Sequence, residues 1–209
     1  DGQAATFMQS YLTGWFSLTR RTTTSPGQRL LVLGAGSGVG LAAVDIGTAL
    51  GLEVYAAASS AEKLDLARAA GAVALIDSST EDVKERAKQL SGGGVDVLYD
   101  PVGGELGATC LRALGDEGTY VVIGFVAGIQ QLPANQILLR NRRVVGVDWG
   151  GWATRHHDEN QEMIGEVLAL IGDGRLHPVE PSTYPLEDAG RALRDLAERR
   201  VAGKVALVP

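Results

Sequence analysis

The sequence predicts an α/β fold in which a parallel six-stranded sheet is covered by helices on both faces. Between about residue 29 and residue 147, short apolar segments alternate with segments of helical periodicity, which is the pattern of consecutive βα units. The chain contains 28 glycines among 209 residues, and many of them follow the apolar segments, so they predict turns in which the backbone approaches another group. We expect right-handed crossovers and the doubly wound strand order 3-2-1-4-5-6.

The individual elements follow from local patterns. Apolar runs bounded by turn residues predict strands over 29–33, 53–57, 73–76, 95–99, 119–123 and 143–147. Helical periodicity predicts helices over 4–18, 40–50, 61–70, 81–90, 106–114, 134–139 and 160–171. After the break at 172–174, we expect a strand over 179–184, a helix from Pro185 to about Arg199 and a last strand over 204–208.

Composition and charge narrow the class of protein. The net charge of −6 argues against a nucleic-acid-binding surface, which needs a basic patch. Apolar runs fall short of the roughly 18 residues of a membrane span, and the N-terminus lacks the pattern of a signal peptide. The single cysteine, Cys110, fits a reducing compartment, so we expect a cytoplasmic protein. Since Cys and His do not occur with zinc-ligand spacing, no metal site is predicted.

The most informative segment is 30–40, which reads LLVLGAGSGVG. A buried strand ends in a glycine-rich turn that opens a helix, and such a turn lets the backbone approach a pyrophosphate at the helix N-terminus. The strict G-x-G-x-x-G spacing is not met, because the third glycine falls on Val39 or Leu41, depending on the starting glycine. The strand-turn-helix context predicts a dinucleotide-binding Rossmann domain, and the alternative is a turn that only packs helix against strand.

The end of the second strand bears on the choice of cofactor. Dinucleotide-binding domains that take NAD carry Asp or Glu there, where it hydrogen-bonds the ribose 2′-hydroxyl. Here the segment 54–63 reads VYAAASSAEK, and Ser59, Ser60 and Lys63 occupy that region. Hydroxyls and a cation suit a 2′-phosphate, so the sequence favours NADPH over NADH. Alternatively, Ser60 caps the next helix and Lys63 is a solvated charge, and both interpretations can hold together.

Beyond these motifs, the chain resembles the zinc-independent medium-chain dehydrogenase/reductases, in the quinone oxidoreductase or zeta-crystallin-like group. The resemblance covers nearly the whole chain, and its most specific block is GVDVLYDPVGG at 94–104. The other matching blocks are 26–27 with 30–40, 59–66 with 70–72, 118–125, 138–141, 145–147 and 203–205. Members of this family begin with a GroES-like substrate domain. The resemblance therefore implies a linking helix over 1–24, a Rossmann domain over 25–172 and a segment over 173–209 that returns to the substrate domain.

The resemblance also implies roles for individual residues. The phosphate loop is Gly36, Ser37, Gly38, Val39 and Gly40, and Ser37 stands where the family usually has glycine. Thr13 is implied to lie near the nicotinamide, and the loops that contain Val102 and Gly124-Phe125 are implied to flank the ribose and the nicotinamide ring. Lys204 is a further implied cofactor contact, and the alternative is that it is a surface charge. The resemblance also implies that Trp149 or Trp152 borders the active-site cleft, and the alternative for each tryptophan is packing in the core or at a domain interface.

The implied reaction is hydride transfer from NADPH to a quinone or an activated double bond, with the protein positioning the cofactor. No catalytic acid is identified from the sequence. We expect a small-molecule substrate, a homodimer formed through the edge at 143–147, and little turnover by these 209 residues alone. The alternatives are a non-catalytic NADPH-binding redox-sensing module, an enoyl reductase acting on thioesters, and a zinc-type alcohol dehydrogenase using NAD.

Overall fold

The computed structural model describes residues 2–198 and 200–209. Six strands form one sheet in the order β3-β2-β1-β4-β5-β6, and every neighbouring pair is parallel, so the predicted doubly wound topology is confirmed. The strands are β1 (Arg29–Val32), β2 (Glu53–Ala58), β3 (Ala74–Asp77), β4 (Val95–Asp100), β5 (Leu114–Val122) and β6 (Arg143–Gly146).

Helices connect the strands and cover the sheet on both faces. They are α1 (Gly2–Trp15), α2 (Gly38–Ala49), α3 (Ala61–Ala69), α4 (Val83–Leu90), α5 (Gly104–Cys110), α6 (Ala134–Leu138), α7 (Trp149–Ala153) and α8 (His157–Gly172). A two-stranded parallel sheet follows, with β7 (Ser182–Pro185), α9 (Ala189–Ala197) and β8 (Val205–Val208). None of the helices in the described residues has the length and apolar character needed to cross a bilayer.

The central strand β1 is buried on both sides of the sheet. Leu30 and Val32 belong to a core shared with α1, α2 and α8, whereas Leu31 and Leu33 belong to a second core shared with α4 and α5. All four side chains are fully buried. This arrangement explains why β1 reads as a continuous apolar run rather than as an alternating one.

The largest difference from the predicted elements lies before the fifth strand. Leu114 was expected to end a helix, but it begins β5 and pairs with Val95. The sequence of 115–118 is typical of a turn, but in the structure this segment forms a bulge in β5. The register between β4 and β5 shifts there, and regular pairing resumes where Thr119 pairs with Val97. Glu117 in this bulge has a φ of 60°, and its amide donates a hydrogen bond to a carbonyl in the segment before β6.

Smaller differences concern the ends of elements. The helix after β1 begins two residues before the predicted start, and α1 continues as a π-helix over Phe16–Arg21. The short helix α7 was not predicted, because its two central glycines are poor helix formers. In the C-terminal region β7 is shorter than expected and a 3₁₀ turn (Leu186–Asp188) precedes α9, while the predicted helix end at Arg199 lies outside the described residues.

Candidate cofactor-binding site

The turn between β1 and α2 packs the helix against the backbone of its own loop. A Cβ atom at Gly40 would lie 2.2 Å from the carbonyl oxygen of Gly34, and Gly34 has a φ of 58°, so both positions favour glycine. Ser37 caps α2, since its Oγ accepts a hydrogen bond from the Gly40 amide (3.1 Å) and donates one to the Gly34 carbonyl (2.8 Å). Within the described residues, no hydrogen bond engages the amides of Gly38 and Val39, which are the donors that a phosphate accepts at a helix N-terminus.

Two lysine side chains lie over the glycines of this loop. A Cβ atom at Gly36 would lie 2.4 Å from the Cβ of Lys63, and one at Gly38 would lie 2.6 Å from the Cδ of Lys204. The chain before Lys204 is fixed to the loop, because the Gly203 amide donates a hydrogen bond to the Gly36 carbonyl (2.8 Å). Burial lowers the pKa of Lys204 by disfavouring its charged form. An anion beside this ammonium would offset that cost.

The carboxyl end of β2 presents hydroxyls beside the phosphate loop. Ser60 is the N-cap of α3, and its Oγ accepts a hydrogen bond from the Lys63 amide (3.4 Å), so the structure gives Ser60 a capping role. Ser59 is exposed. No acidic residue occurs in the segment 54–61, so this end of β2 offers no carboxylate to a ribose. The edge of the site near Gly36 therefore combines a hydroxyl, a helix N-terminus and an ammonium-bearing side chain.

Asp100 organises the opposite side of the site. This fully buried residue ends β4, and its Oδ1 accepts hydrogen bonds from the amides of Val102 and Gly103, each at 2.8 Å. Its Oδ2 accepts a hydrogen bond from the hydroxyl of Tyr120, and its carbonyl accepts one from the Gly124 amide (3.2 Å). Burial, together with the bond to Asp100, raises the pKa of Tyr120, so the phenol remains a donor. One carboxylate thus fixes the loop after β4 to β5.

The loops after β4 and β5 also bind each other directly. The Ala127 amide donates a hydrogen bond to the Val102 carbonyl (2.8 Å), and the Gly104 amide donates one to the Gly128 carbonyl (2.6 Å). A Cβ atom at Gly34 would lie 2.9 Å from the Cγ2 of Val102, so the loop after β4 also packs against the phosphate loop. The three loops that follow β1, β4 and β5 therefore form one connected surface.

A first cleft, with a volume of about 510 Å³, opens at the carboxyl ends of the central strands. It brings together these predicted site residues: Thr13, Ser37, Gly38, Val39, Gly124 and Lys204. Trp149 also lines it, and its Nε1 donates a hydrogen bond to Asn160 Oδ1 (3.0 Å), which orients the indole. The remaining lining residues, which the sequence analysis did not identify, are Gln9, Ser10, Pro101, Ile123, Val126, Val147, Asp148 and Gly150.

A second cleft, of about 490 Å³, adjoins the first. Phe125 and Trp152 line this second cleft rather than the first. The two clefts share Ile123, Gly124, Val147 and Asp148. The rest of its lining is Phe16, Arg21, Val122, Gly146 and Arg155.

Some of the missed residues carry a signal that the sequence analysis could have used. Pro101 and Asp148 directly follow the fourth strand and the sixth strand region, where ligands bind in open parallel sheets. Gln9 and Ser10 precede Thr13 by four and three residues, so they share its face of α1. No sequence signal places Arg21 or Arg155 at the site, because their positions depend on how the π-helix after α1 and the turn after α7 pack.

The family model described as zinc-binding dehydrogenase matches residues 38–169, more than half of the chain. Quinone oxidoreductase-like protein 2 of Bos taurus is 36% identical over 208 residues, which cover 98% of this chain and 60% of that protein. The Escherichia coli quinone oxidoreductase structure, complexed with NADPH, matches with a TM-score of 0.89 and 31% identity, covering 99% of this chain and 65% of that one. The CurK enoyl reductase matches with a TM-score of 0.87 and 26% identity, covering 98% and 61%.

The chain belongs to the zinc-binding dehydrogenase family, as a medium-chain dehydrogenase/reductase with a Rossmann fold. Within that family it falls in the quinone oxidoreductase group and represents the cofactor-binding portion, so the predicted resemblance is confirmed. The chain spans about 60% to 65% of the length of these relatives. Across residues 2–198 and 200–209, no group of three or more His, Cys, Asp or Glu is arranged to hold a metal ion.

Proposed function

We propose that this chain binds NADPH and that the full-length protein transfers hydride from NADPH to a quinone or an activated double bond. The observation that carries the proposal is the phosphate loop, where Lys63 lies over Gly36 and Lys204 lies over Gly38. The E. coli relative, which is described as complexed with NADPH, supports this choice of cofactor. The proposed cofactor contacts are Thr13, Gly36, Ser37, Gly38, Val39, Gly40, Ser59, Ser60, Lys63, Val102, Gly124, Phe125 and Lys204.

The phosphates of the dinucleotide would be bound at two places. The amides of Gly38 and Val39 would donate to the pyrophosphate, where the dipole of α2 favours negative charge. Lys204 would add a cation beside the same group, which would offset the burial that lowers its pKa. At the end of β2, Ser59 and Lys63 would bind the 2′-phosphate.

The first cleft would hold the nicotinamide end of the cofactor together with the acceptor, because proposed cofactor contacts such as Thr13 and Gly124 line it. When bound, the nicotinamide supplies the hydride, and the chain's own residues position the groups around it. Thr13, Gly124 and Trp149 line this cleft, so they would hold the acceptor close to the ring and limit the access of water. The nicotinamide ring and a small acceptor would share this cleft, whose volume of about 510 Å³ lies in the range of ligand pockets.

The reduction of enoyl thioesters is the second candidate reaction. The similarity to the CurK enoyl reductase supports it, since that fold match spans 98% of this chain. The reacting double bond of an enoyl thioester is also an activated double bond, so both reactions need the same cofactor geometry. The choice between them depends on residues that bind the acceptor.

Two features of assembly belong to the same proposal. We infer a homodimer formed through β6, because one edge of β6 pairs with β5 and the other has no partner strand in the described part of the chain. We also infer that residues 173–209 pack on a substrate domain. The exposed leucines Leu186, Leu193 and Leu196 provide an apolar surface for that contact. A cytoplasmic location remains a prediction from the single cysteine.

The test combines binding and turnover. Calorimetric titration of the 209-residue chain with NADPH and NADH should give tighter binding of NADPH, and a preference for NADH would contradict the cofactor assignment. The full-length protein, assayed with quinones, enones and enoyl thioesters, should oxidise NADPH with at least one class, and the 209 residues alone should turn over little. Binding of NADPH without reduction of any of these acceptors would favour the non-catalytic redox-sensing alternative.

A further inference from the structure

The second cleft differs from the first in its chemistry. Its walls are aromatic, with Phe16, Phe125 and Trp152 in its lining. The ring of Trp152 is fixed by Phe16, at a centroid distance of 4.7 Å, and by a stacked His156 at 5.1 Å. Phe125 is 61% exposed, so its ring is available to a ligand. A planar apolar group therefore fits this cleft.

The same cleft carries an excess of positive charge. Arg21 and Arg155 both line it. The Arg21 Nε donates a hydrogen bond to the Gly146 carbonyl (3.2 Å), which holds the guanidinium at the wall. Within the described residues, neither guanidinium forms an ion pair with a carboxylate. The acidic residue of the lining is Asp148, whose Oδ1 accepts a hydrogen bond from the Gly151 amide (2.9 Å) as the cap of α7. The lining thus contains two guanidinium groups and one carboxylate, which already caps a helix.

The second cleft is also continuous with the first. Ile123, Gly124, Val147 and Asp148 line both clefts, so a molecule in the first cleft can extend into the second over the ends of β5 and β6. Guanidinium groups bind carboxylate, sulfonate and phosphate through paired hydrogen bonds.

We infer that the acceptor substrate is a planar molecule with an anionic substituent, and that Arg155 and Arg21 bind this anion in the second cleft while the reacting end lies in the first. This inference rests on the proposed function, because it assigns the chemistry of the acceptor. Arg155 and Arg21 determine specificity and take no part in the transfer of hydride.

The test compares a naphthoquinone sulfonate with the same naphthoquinone lacking the sulfonate, as acceptors for the full-length protein. Arg155→Gln should raise KM for the sulfonate about tenfold, since a hydrogen bond to a charged group contributes about that much to affinity. The kcat and the KM for the neutral quinone should change little. Arg155→Lys should recover part of the loss, because it keeps the charge and loses the planar fork. Arg112→Gln, which removes an exposed arginine outside both clefts, is the matched control.

A binding measurement separates this inference from the proposed function. Fluorescence titration with a naphthalene sulfonate, which cannot accept hydride, should give a Kd about tenfold weaker for Arg155→Gln and unchanged for Arg112→Gln. If Arg155 governs this binding but the protein reduces neither quinone, the proposed function fails and the anion site stands. If the neutral quinone is reduced and Arg155→Gln leaves both the KM and the Kd of the sulfonates unchanged, the anion site is overturned and the proposed function stands.

Discussion

The two edges of the central sheet are built in opposite ways. At the amino ends of β1 and β4, Arg29 donates its backbone amide (2.7 Å) and its Nε (3.0 Å) to Asp96, and its guanidinium also reaches the Ser91 carbonyl. At the carboxyl ends of the same strands, the amides of Gly38 and Val39 are not engaged by hydrogen bonds within the described residues. The amino edge carries this Arg29–Asp96 pair, and the carboxyl edge presents donors and clefts.

This difference shows how one fold separates stability from binding. Parallel strands place all their carboxyl ends at one edge, so residues that follow the strands collect there. Side chains at the amino edge can pair with each other, because no ligand has to enter. At the buried Arg142, Nη1 and Nη2 donate hydrogen bonds to the carbonyls of Gln136 and Leu114, whereas Nε has no hydrogen-bond partner in the described part of the chain.

Asp100 lies at the carboxyl edge and contributes both to stability and to the shape of the binding site. Its replacement should therefore give the largest effect on stability. Asp100→Ala leaves the amides of Val102 and Gly103 and the hydroxyl of Tyr120 without their acceptor. We expect the free energy of unfolding to fall by about 3 kcal/mol, because a buried unsatisfied donor costs about 1–3 kcal/mol. Urea denaturation of the purified chain at pH 7 measures this loss.

Asp100→Asn is the matched variant. It keeps an acceptor oxygen for the two amides and places a donor beside the Tyr120 oxygen, so the loss of stability should be much smaller. Equal losses for Ala and Asn would show that the charge of Asp100, and not its hydrogen bonds to the loop, stabilises this edge.

The next effect concerns binding at the carboxyl edge. Lys63→Met keeps an apolar stem over Gly36 and removes the ammonium, so it should weaken NADPH binding by about ten- to a hundredfold. The affinity for NADH should hardly change, because NADH has no 2′-phosphate. Added salt should weaken the binding of NADPH more than that of NADH. Calorimetric titration of both cofactors measures the two affinities.

Lys88→Met removes a lysine from α4, outside both clefts, and serves as the control. If Lys63→Met weakens both cofactors equally, Lys63 supports the loop through packing and does not recognise the 2′-phosphate.

A smaller effect is expected at the amino edge, and it depends on pH. Burial tends to raise the pKa of Asp96, but the hydrogen bonds and charge of Arg29 outweigh it and hold this pKa below its usual value. Because the pKa is lower in the folded state, the stabilisation is complete above the unfolded value of about 4 and is lost as the pH falls through the folded value. Asp96→Asn should cost about 1 kcal/mol at pH 7, since the pair is partly exposed.

The difference in unfolding free energy between wild type and Asp96→Asn should shrink below about pH 4, while the Kd for NADPH at pH 7 stays the same. A difference that is constant from pH 7 to pH 3 would contradict the assigned role of the Asp96 carboxylate. A change in the affinity for NADPH would contradict the separation of the two edges.

The same contrast explains what the sequence could predict. The strands were predictable because buried strands are continuous apolar runs, such as Leu30–Val32, and because glycine marks the turns. Their order was predicted from the topology that consecutive βα units adopt in doubly wound folds. The predicted start of the fifth strand was wrong. Gly115 and Gly118 are typical of a turn, but the backbone there forms a bulge in β5 beside β4.

The residues of the candidate site were predictable only where they belong to a local sequence motif. The phosphate loop and the end of β2 are local motifs, so the sequence alone was enough to predict cofactor contacts there. Gln9, Ser10 and Arg21 come from helices, and Arg155 comes from the turn after α7, so the packing of these segments against the sheet decides which side chains line the clefts. Such contacts depend on tertiary structure and leave no fixed spacing in the sequence.

The smallest effect in this chain is expected on α9, which lies beyond the central sheet. Leu193 is 67% exposed, so Leu193→Ala should change the free energy of unfolding of the 209-residue chain by less than about 0.5 kcal/mol. In the full-length protein, where we propose that a substrate domain covers this helix, the same change should cost about 2 kcal/mol, because a buried leucine then loses its contacts. Leu168→Ala on α8, where the side chain is 49% exposed, is the control and should have a small effect in both forms. Urea denaturation of both forms gives the comparison. An equally small effect of Leu193→Ala in the full-length protein would mean that α9 stays exposed there, and the proposed return of residues 173–209 to the substrate domain would be wrong.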